Sequence, residues 1–283
     1  MMKKYSIEEI LEKAENLSFM PSVISDLMEM VSDIDVNVKE VILTIKKDPG
    51  LVARVFKVAN SAYYGRAQKA NALSDAVVVL GLRGLKTLVI GQAVKHVLTY
   101  NNVKELWGHA VKVSLASKVL SKFLHGDTSE DIVVGGLMHD IGKAFIAGVY
   151  PETLPFINER IKDERVTSVD AEKSILGFDH TVVGSLITEK WNFPLKFVEM
   201  IKYHHSEGDT EIPSIEDQVF LNTIKLGDRI TNDCGSAPDF REEDFLEKLR
   251  CFPELNNAGE DDLFVFIKEI KTEWGASRNE NLL

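Results

Sequence analysis

The amino-acid sequence predicts an all-α fold, and three observations carry that expectation. Apolar residues recur at helical spacing through nearly every segment. No alternating apolar and polar run demands a sheet. Helix-start residues stand where the first periodic stretches begin.

Taken in order, Ser6 followed by Glu9 forms a capping-box pattern ahead of the stripe Ile7, Ile10, Leu11 and Ala14. Pro21 starts a second helix carrying Val23, Ile24, Leu27, Met28 and Val31. Asn37 caps a third, through Val41, Ile42 and Ile45. Asp48-Pro49-Gly50 breaks the chain, and a fourth helix follows through Leu51, Val52, Val55, Phe56 and Val58. Residues 72–98 read as two helices parted near Gly81-Leu82-Arg83-Gly84. VVVLG at 77–81 has strand-like composition, but no partner strand is evident, so it is assigned to buried helix. Long amphipathic helices are then expected at 103–124, 129–139, 143–149, 153–163, 168–176, 180–191, 195–205 and 216–232. An acidic pair at 241–249 and 260–273 precedes a polar tail, GASRNENLL, expected to fray. A polar break at Tyr100-Asn101-Asn102 divides an N-terminal helical bundle, 1–98, from a histidine-bearing helical core, 99–235. Residues 236–283 form the C-terminal acidic part.

The composition is that of a soluble globular protein, with 45% hydrophobic and 27% charged residues among 283. The formal net charge of −11 disfavours phosphate backbones, so nucleic acid is not an expected partner. Two cysteines outside any C-x-x-C pair suit a reducing compartment. The N-terminus has no continuous apolar core of a signal peptide, and no run of about 18 apolar residues suggests a membrane span. A cytoplasmic location is therefore expected.

The histidines are unevenly placed. Residues 1–98 hold only His96, and His109, His125, His139, His180, His204 and His205 follow the break. His109 lies four residues after Glu105, on the same helical face. His139 and Asp140 end the apolar helix DIVVGGLMHD, after which Gly142 allows a turn and Lys143 starts the next helix. Gly135 and Gly136 are poor helix formers, and a close helix contact would explain them. His180 follows Asp179, a helix-capping residue, and as a first-turn residue it suits either the surface or a ligand role. His204 and His205 end a helix, where they suit either its negative end or a metal ion. Asp228 lies in an apolar stripe beside Leu226 and Ile230 and needs a partner there, for which a metal is one candidate. Imidazole and carboxylate groups from different helices are the donors that a divalent transition metal takes.

The order H…HD…H…HH…D resembles the HD superfamily of metal-dependent phosphohydrolases. Within it, residues 15–232 resemble the HDOD domain, the HD-related output domain of bacterial signalling. MPSVISDLMEMV, DPGLVARVFKVANSAYYG and LSDAVVVLGLRGLKTLVI carry the front of that resemblance. GGLMHDIGKAFI, DAEKSILGFDHTVVGSLITEKWNFP and IKYHH carry its back. The resemblance implies an N-terminal helical bundle packed on an HD-like core, and a regulatory module without demonstrated hydrolase activity. His109, His139, Asp140, His180, His204, His205 and Asp228 look like the positions that bind two metals in the related HD-GYP phosphodiesterases. Glu105 resembles an additional carboxylate of trinuclear members, and Lys143 the lysine that contacts substrate phosphate. The Gly-Tyr-Pro after the histidine pair is missing here, where HHSEGDTEIPS stands.

Two functions follow from the resemblance. The first is an output module acting on signalling proteins, with a retained centre for two divalent transition-metal ions, which iron, manganese, zinc or nickel would suit. No receiver segment is recognisable, so its signal is expected from another chain or a ligand. The second is a metal-dependent phosphohydrolase acting on a phosphate-containing small molecule. Asp140 would then bridge two ions, with His109, His139 and Asp228 on one and His180, His204 and His205 on the other, while Lys143 neutralises phosphate charge.

Overall fold

A computed structural model describes residues 5–16, 36–60, 69–100, 104–126, 130–191, 193–206, 218–234 and 240–277, with Val23, Asp26, Leu27 and Met30. Among these residues every regular element is helical, as the sequence predicts. The helix expected from Pro21 lies outside the described residues except at those four positions, which are helical. NSAYYG beyond Asn60, residues 207–217 and the polar stretch after Ser277 also lie outside them.

The first helix, α1 (Ile7–Asn16), makes half of its expected capping box. Ser6 Oγ accepts from the Glu9 amide at 3.4 Å. The other half is taken by Tyr150, whose hydroxyl accepts from the Ser6 amide at 3.1 Å and donates to Glu9 Oε2 at 2.7 Å. Tyr150 is buried, and this contact ties α1 to the histidine-bearing half, where α1 packs beside Ile141–Val149 and His180–Lys190. α2 (Val38–Ile45) is capped by Asn37, which accepts from the Lys39 amide at 3.0 Å. Asp48 caps α3 (Pro49–Ala59), so Pro49 and Gly50 open a helix instead of breaking one. Proline costs little there, because the first helical amide has no intrahelical partner. α4 (Leu73–Tyr100) is two helices joined at a kink, as the sequence predicts, with Gly81 at non-helical φ 64° and ψ 175° between them. Glycine adopts that angle at little cost, whereas a residue with a Cβ would be strained there.

The core then runs through α5 (Lys104–His125), α6 (Glu130–Met138), α7 (Ile141–Val149), α8 (Leu154–Glu164) and α9 (Ser168–Leu176). α10 (His180–Lys190), α11 (Leu195–Tyr203), α12 (Gln218–Asp233), α13 (Glu242–Leu249) and α14 (Glu260–Ser277) complete it. α5 is central, packed on α6, α12 and α14. Gly136 permits the α5–α6 approach: a Cβ there would fall 2.4 Å from the Ser114 Cα. Gly142 does the same where α7 crosses α10, with a Cβ placed 2.0 Å from the His180 carbonyl oxygen. Trp274 ties α14 to α5, donating to the Lys112 carbonyl at 3.0 Å. Buried side chains from Ile10 to Trp274 form one continuous apolar core. Asp131–Val149 is apolar enough to be considered as a membrane span, yet 83% of that window is buried against the rest of the protein.

Candidate metal centre

Helix ends deliver most of the polar side chains of interest. α6 stops at Met138, and His139 and Asp140 form the turn into α7. The turn expected at Gly142 is thus two residues earlier, and Gly142 serves the α7–α10 crossing instead. Asp140 occupies the N-cap position of α7 but makes no cap hydrogen bond, which leaves its carboxylate free to face inward. Asp179 caps α10, accepting from the Thr181 and Val182 amides at 2.8 and 3.2 Å, and so presents His180 as the first helical residue. His204 follows the last residue of α11, with His205 next to it. His109 projects from α5 and Asp228 from the middle of α12.

These residues meet as two groups about Asp140. Within each, the potential donor atoms lie within 4.8 Å of one another. Asp140, His180, His204 and His205 make one group, and His109, His139 and Asp228 the other. Asp140 Oδ1 is 3.2 Å from His180 Nε2 and 3.6 Å from His204 Nε2. Its other oxygen, Oδ2, is 3.4 Å from His139 Nε2 and 3.7 Å from His109 Nε2. Asp228 Oδ1 lies 3.0 Å from His109 Nε2 and 3.6 Å from His139 Nε2. One carboxylate therefore offers a different oxygen to each group.

The far sides of the rings determine which nitrogen faces inward. His139 Nδ1 is 2.8 Å from the Gly136 carbonyl, and His204 Nδ1 is 2.8 Å from the Ile201 carbonyl. A carbonyl only accepts, so both Nδ1 atoms carry a proton, and in a neutral ring Nε2 then presents a lone pair. His180 Nδ1 faces Glu172 Oε2 at 2.7 Å, and the same oxygen accepts from the His180 amide at 2.7 Å. Sequence reasoning missed Glu172. The available signal was a carboxylate beside Ala171 on a helix that leads directly to the His180 cap.

Among the described residues, four inward atoms are buried without a hydrogen-bond partner: Asp140 Oδ1 and the Nε2 atoms of His180, His204 and His205. Buried acceptors left unpaired are costly, and a divalent cation satisfies all four at once. The residues present therefore fit a metal ion by both chemistry and placement.

Electrostatics separate the two groups. Burial, aided by the neighbouring His204 and His180, pushes His205 down to about 2, and burial also lowers His204 against the pull of Asp140. Both rings are neutral, the form that binds metal. Burial opposes a charged His139 as well, but Asp140 and Asp228 outweigh it and push the ring up to about 10. Burial would raise Asp140, but Lys143 and His139 hold it well below the carboxylate range. His109 and His139 do the same for Asp228 against its own burial. Lys143 Nζ sits 2.7 Å from Asp140 Oδ2, and despite burial that carboxylate raises the ammonium. Glu105, one turn before His109, is exposed and stands outside both groups.

Comparison with known proteins agrees with the fold. The family model of the HDOD domain matches residues 17–207. The chain belongs to the HDOD family. Six of the seven clustered residues fall inside the HDOD match, and Asp228 lies beyond it. An uncharacterized protein of Treponema pallidum (strain Nichols) is 26% identical over 201 residues, which is 70% of this chain and 39% of that protein's length. A crystal structure of an HDOD domain protein from Geobacter sulfurreducens has a TM-score of 0.70 at 21% identity, covering 98% of this chain and 99% of that one. A Shewanella amazonensis SB2B protein described as a candidate phosphohydrolase reaches a TM-score of 0.73 at 26% identity, over 97% and 98% of the two chains.

Proposed function

We propose that this HDOD protein is a regulatory module of signal transduction that retains a divalent-metal centre with places for two ions. The observation that carries the reading is the set of four orphaned acceptors at Asp140, His180, His204 and His205. His180, His204, His205 and Asp140 Oδ1 would hold one ion, and His109, His139, Asp228 and Asp140 Oδ2 a second. Three imidazoles and a carboxylate already complete four donors in the first group, the closed shell of a structural ion. His180 and His204 are buried there, which favours a stiffening role over an open reaction site. The metal would join α5, α6–α7, α10, α11 and α12, so its binding energy would add to the stability of a surface that signalling proteins would read.

A second reading, a phosphohydrolase, is favoured by Lys143 and by a cavity lined by His204, His205 and Asp228 together with Lys173, Lys202 and Lys225. A bound divalent ion would supply Lewis-acid polarisation of a phosphoryl oxygen and acidify water. Lys143 would release Asp140 and neutralise phosphate charge.

Metal analysis of the purified chain tests the reading. We expect one to two ions per chain, lost in His139→Ala/Asp140→Ala, and a lower melting temperature after chelation. Saturation at 100 times Kd would contribute about 2.7 kcal/mol of stability. Stoichiometry near zero refutes the metal centre. Turnover of a generic phosphodiester or a cyclic dinucleotide by the loaded wild type, absent from the double variant, selects the phosphohydrolase instead.

A further inference from the structure

We propose that the two halves of the centre are unequal, and that Glu172 makes them so. It is a positioning residue behind His180 that renders the His180–His204–His205 half a tight metal site, while the His109–His139–Asp228 half exchanges its ion readily. The inference rests on the metal-binding reading above.

Glu172 is 4% exposed and reaches His180 from α9. A single oxygen, Oε2, accepts both the backbone amide and the Nδ1–H of His180, each at 2.7 Å. Two bonds to one point lock the ring plane against the start of α10. The charge of the acceptor matters as much as its position. A carboxylate draws the Nδ1 proton and makes Nε2 a stronger donor to a metal. His139 and His204 lean on the neutral carbonyls of Gly136 and Ile201 instead. The His180 half also carries the unpaired inward atoms, with His180 fully buried, His204 nearly so and His205 part-buried.

The opposite half is built less favourably. The His109 side chain is 23% exposed. Its share of Asp140 is the oxygen that Lys143 holds at 2.7 Å, so an incoming cation must compete with an ammonium for that ligand. Among the described residues no such cation touches Asp140 Oδ1, which is without a hydrogen-bond partner. The same carboxylate is thus open on one side and engaged on the other.

The test is a titration of the metal-free full chain with Co(II) or Zn(II) against a competing chelator, followed by Co(II) visible absorption. Two binding steps are expected, the first at least about 10-fold tighter than the second. Glu172→Gln keeps an oxygen for the two N–H groups and removes the charge. It should weaken the tight step by about 10- to 100-fold and shift its Co(II) bands, with the loose step unchanged. Asp228→Ala should abolish the loose step and leave the tight step and its bands in place. Urea unfolding of the metal-free variants separates ligand tuning from lost structure. If Glu172→Gln does not fold, the wild-type steps and Asp228→Ala decide whether the halves are unequal, and Glu172→Asp, which shortens the reach to His180, takes its place and should weaken the tight step alone. Two equal steps, or a tight step lost in Asp228→Ala, overturn the proposal, as does wild-type affinity in folded Glu172→Gln. Absence of any binding by the wild type is a different result, because it removes the metal-binding reading itself.

Discussion

Gly142→Ala should destabilise this protein even though alanine is the better helix former. Gly142 lies in the first turn of α7, where the exchange alone would favour the folded state by about 1 kcal/mol. The crossing with α10 reverses the sign. The added Cβ would lie 2.0 Å from the His180 carbonyl oxygen and 2.8 Å from both the His180 carbonyl carbon and the Gly184 nitrogen. All three are backbone atoms, so no rotamer change relieves the clash. The helices must part by about 1.4 Å before that contact reaches the ordinary 3.4 Å. Overpacking of this kind costs about 1–3 kcal/mol, and a rigid backbone neighbour belongs at the upper end. The expected net loss is about 1–2 kcal/mol, with a fall in melting temperature of about 2–4 °C for each kcal/mol. Parting the helices also moves Asp140 and His180, which flank the crossing, so metal affinity should fall as well. Gly108→Ala is the control, because nothing lies within 4 Å of a Cβ there. It sits in α5 and should be neutral or stabilising by up to about 1 kcal/mol. Urea unfolding of both metal-free variants is the assay. Equal stability of the two would refute the close approach of α7 and α10.

Asp179→Ala removes the α10 cap and should cost about 1–2 kcal/mol at neutral pH. Although burial would raise Asp179, the Thr181 hydroxyl and the Val182 amide hold its carboxyl below the ordinary 3.8. Its stabilisation is therefore complete above pH 3.8 and lost as pH falls through the depressed native value, so the gap between variant and wild type should shrink in acid unfolding series. A gap independent of pH would argue against an ionised cap. Trp274→Ala, which empties a buried position and frees the Lys112 carbonyl, should cost about 3–5 kcal/mol by denaturant unfolding. A loss below 1 kcal/mol would mean that α14 does not brace α5. Cys251 is exposed, whereas burial pushes the Cys234 thiol up to about 12. Native-state alkylation followed by peptide mass spectrometry should label Cys251 alone, with Cys234 reacting only after unfolding.

Much of this molecule is written locally. Asn37 and Asp179 cap the helices that their positions predict, and the helical stripes from Ile7 to Trp274 sort into one core. Other signals were ambiguous for physical reasons. Pro49 and Gly50 read as a break because both are poor in helix interiors, yet the first turn tolerates them. Gly142 read as a turn because glycine serves turns and close contacts alike, and the sequence does not distinguish the two. Glu9 completes its capping partner's pattern on paper, but a tyrosine far along the chain takes it instead.

The sequence by itself determined an all-helical chain and named the side chains that gather about Asp140. Periodicity, caps and residue type are properties of a few neighbouring positions, so they survive without knowledge of the fold. Only the tertiary structure decided how those side chains are divided. The two oxygens of Asp140 face different histidines because α5, α6–α7, α10, α11 and α12 converge at angles set by contacts such as Gly136 on Ser114 and Gly142 on His180. The same convergence leaves Glu105 at the surface, sets Lys143 on Asp140 and brings Glu172 behind His180. Those placements depend on distances between helices, which residue spacing within a helix does not encode.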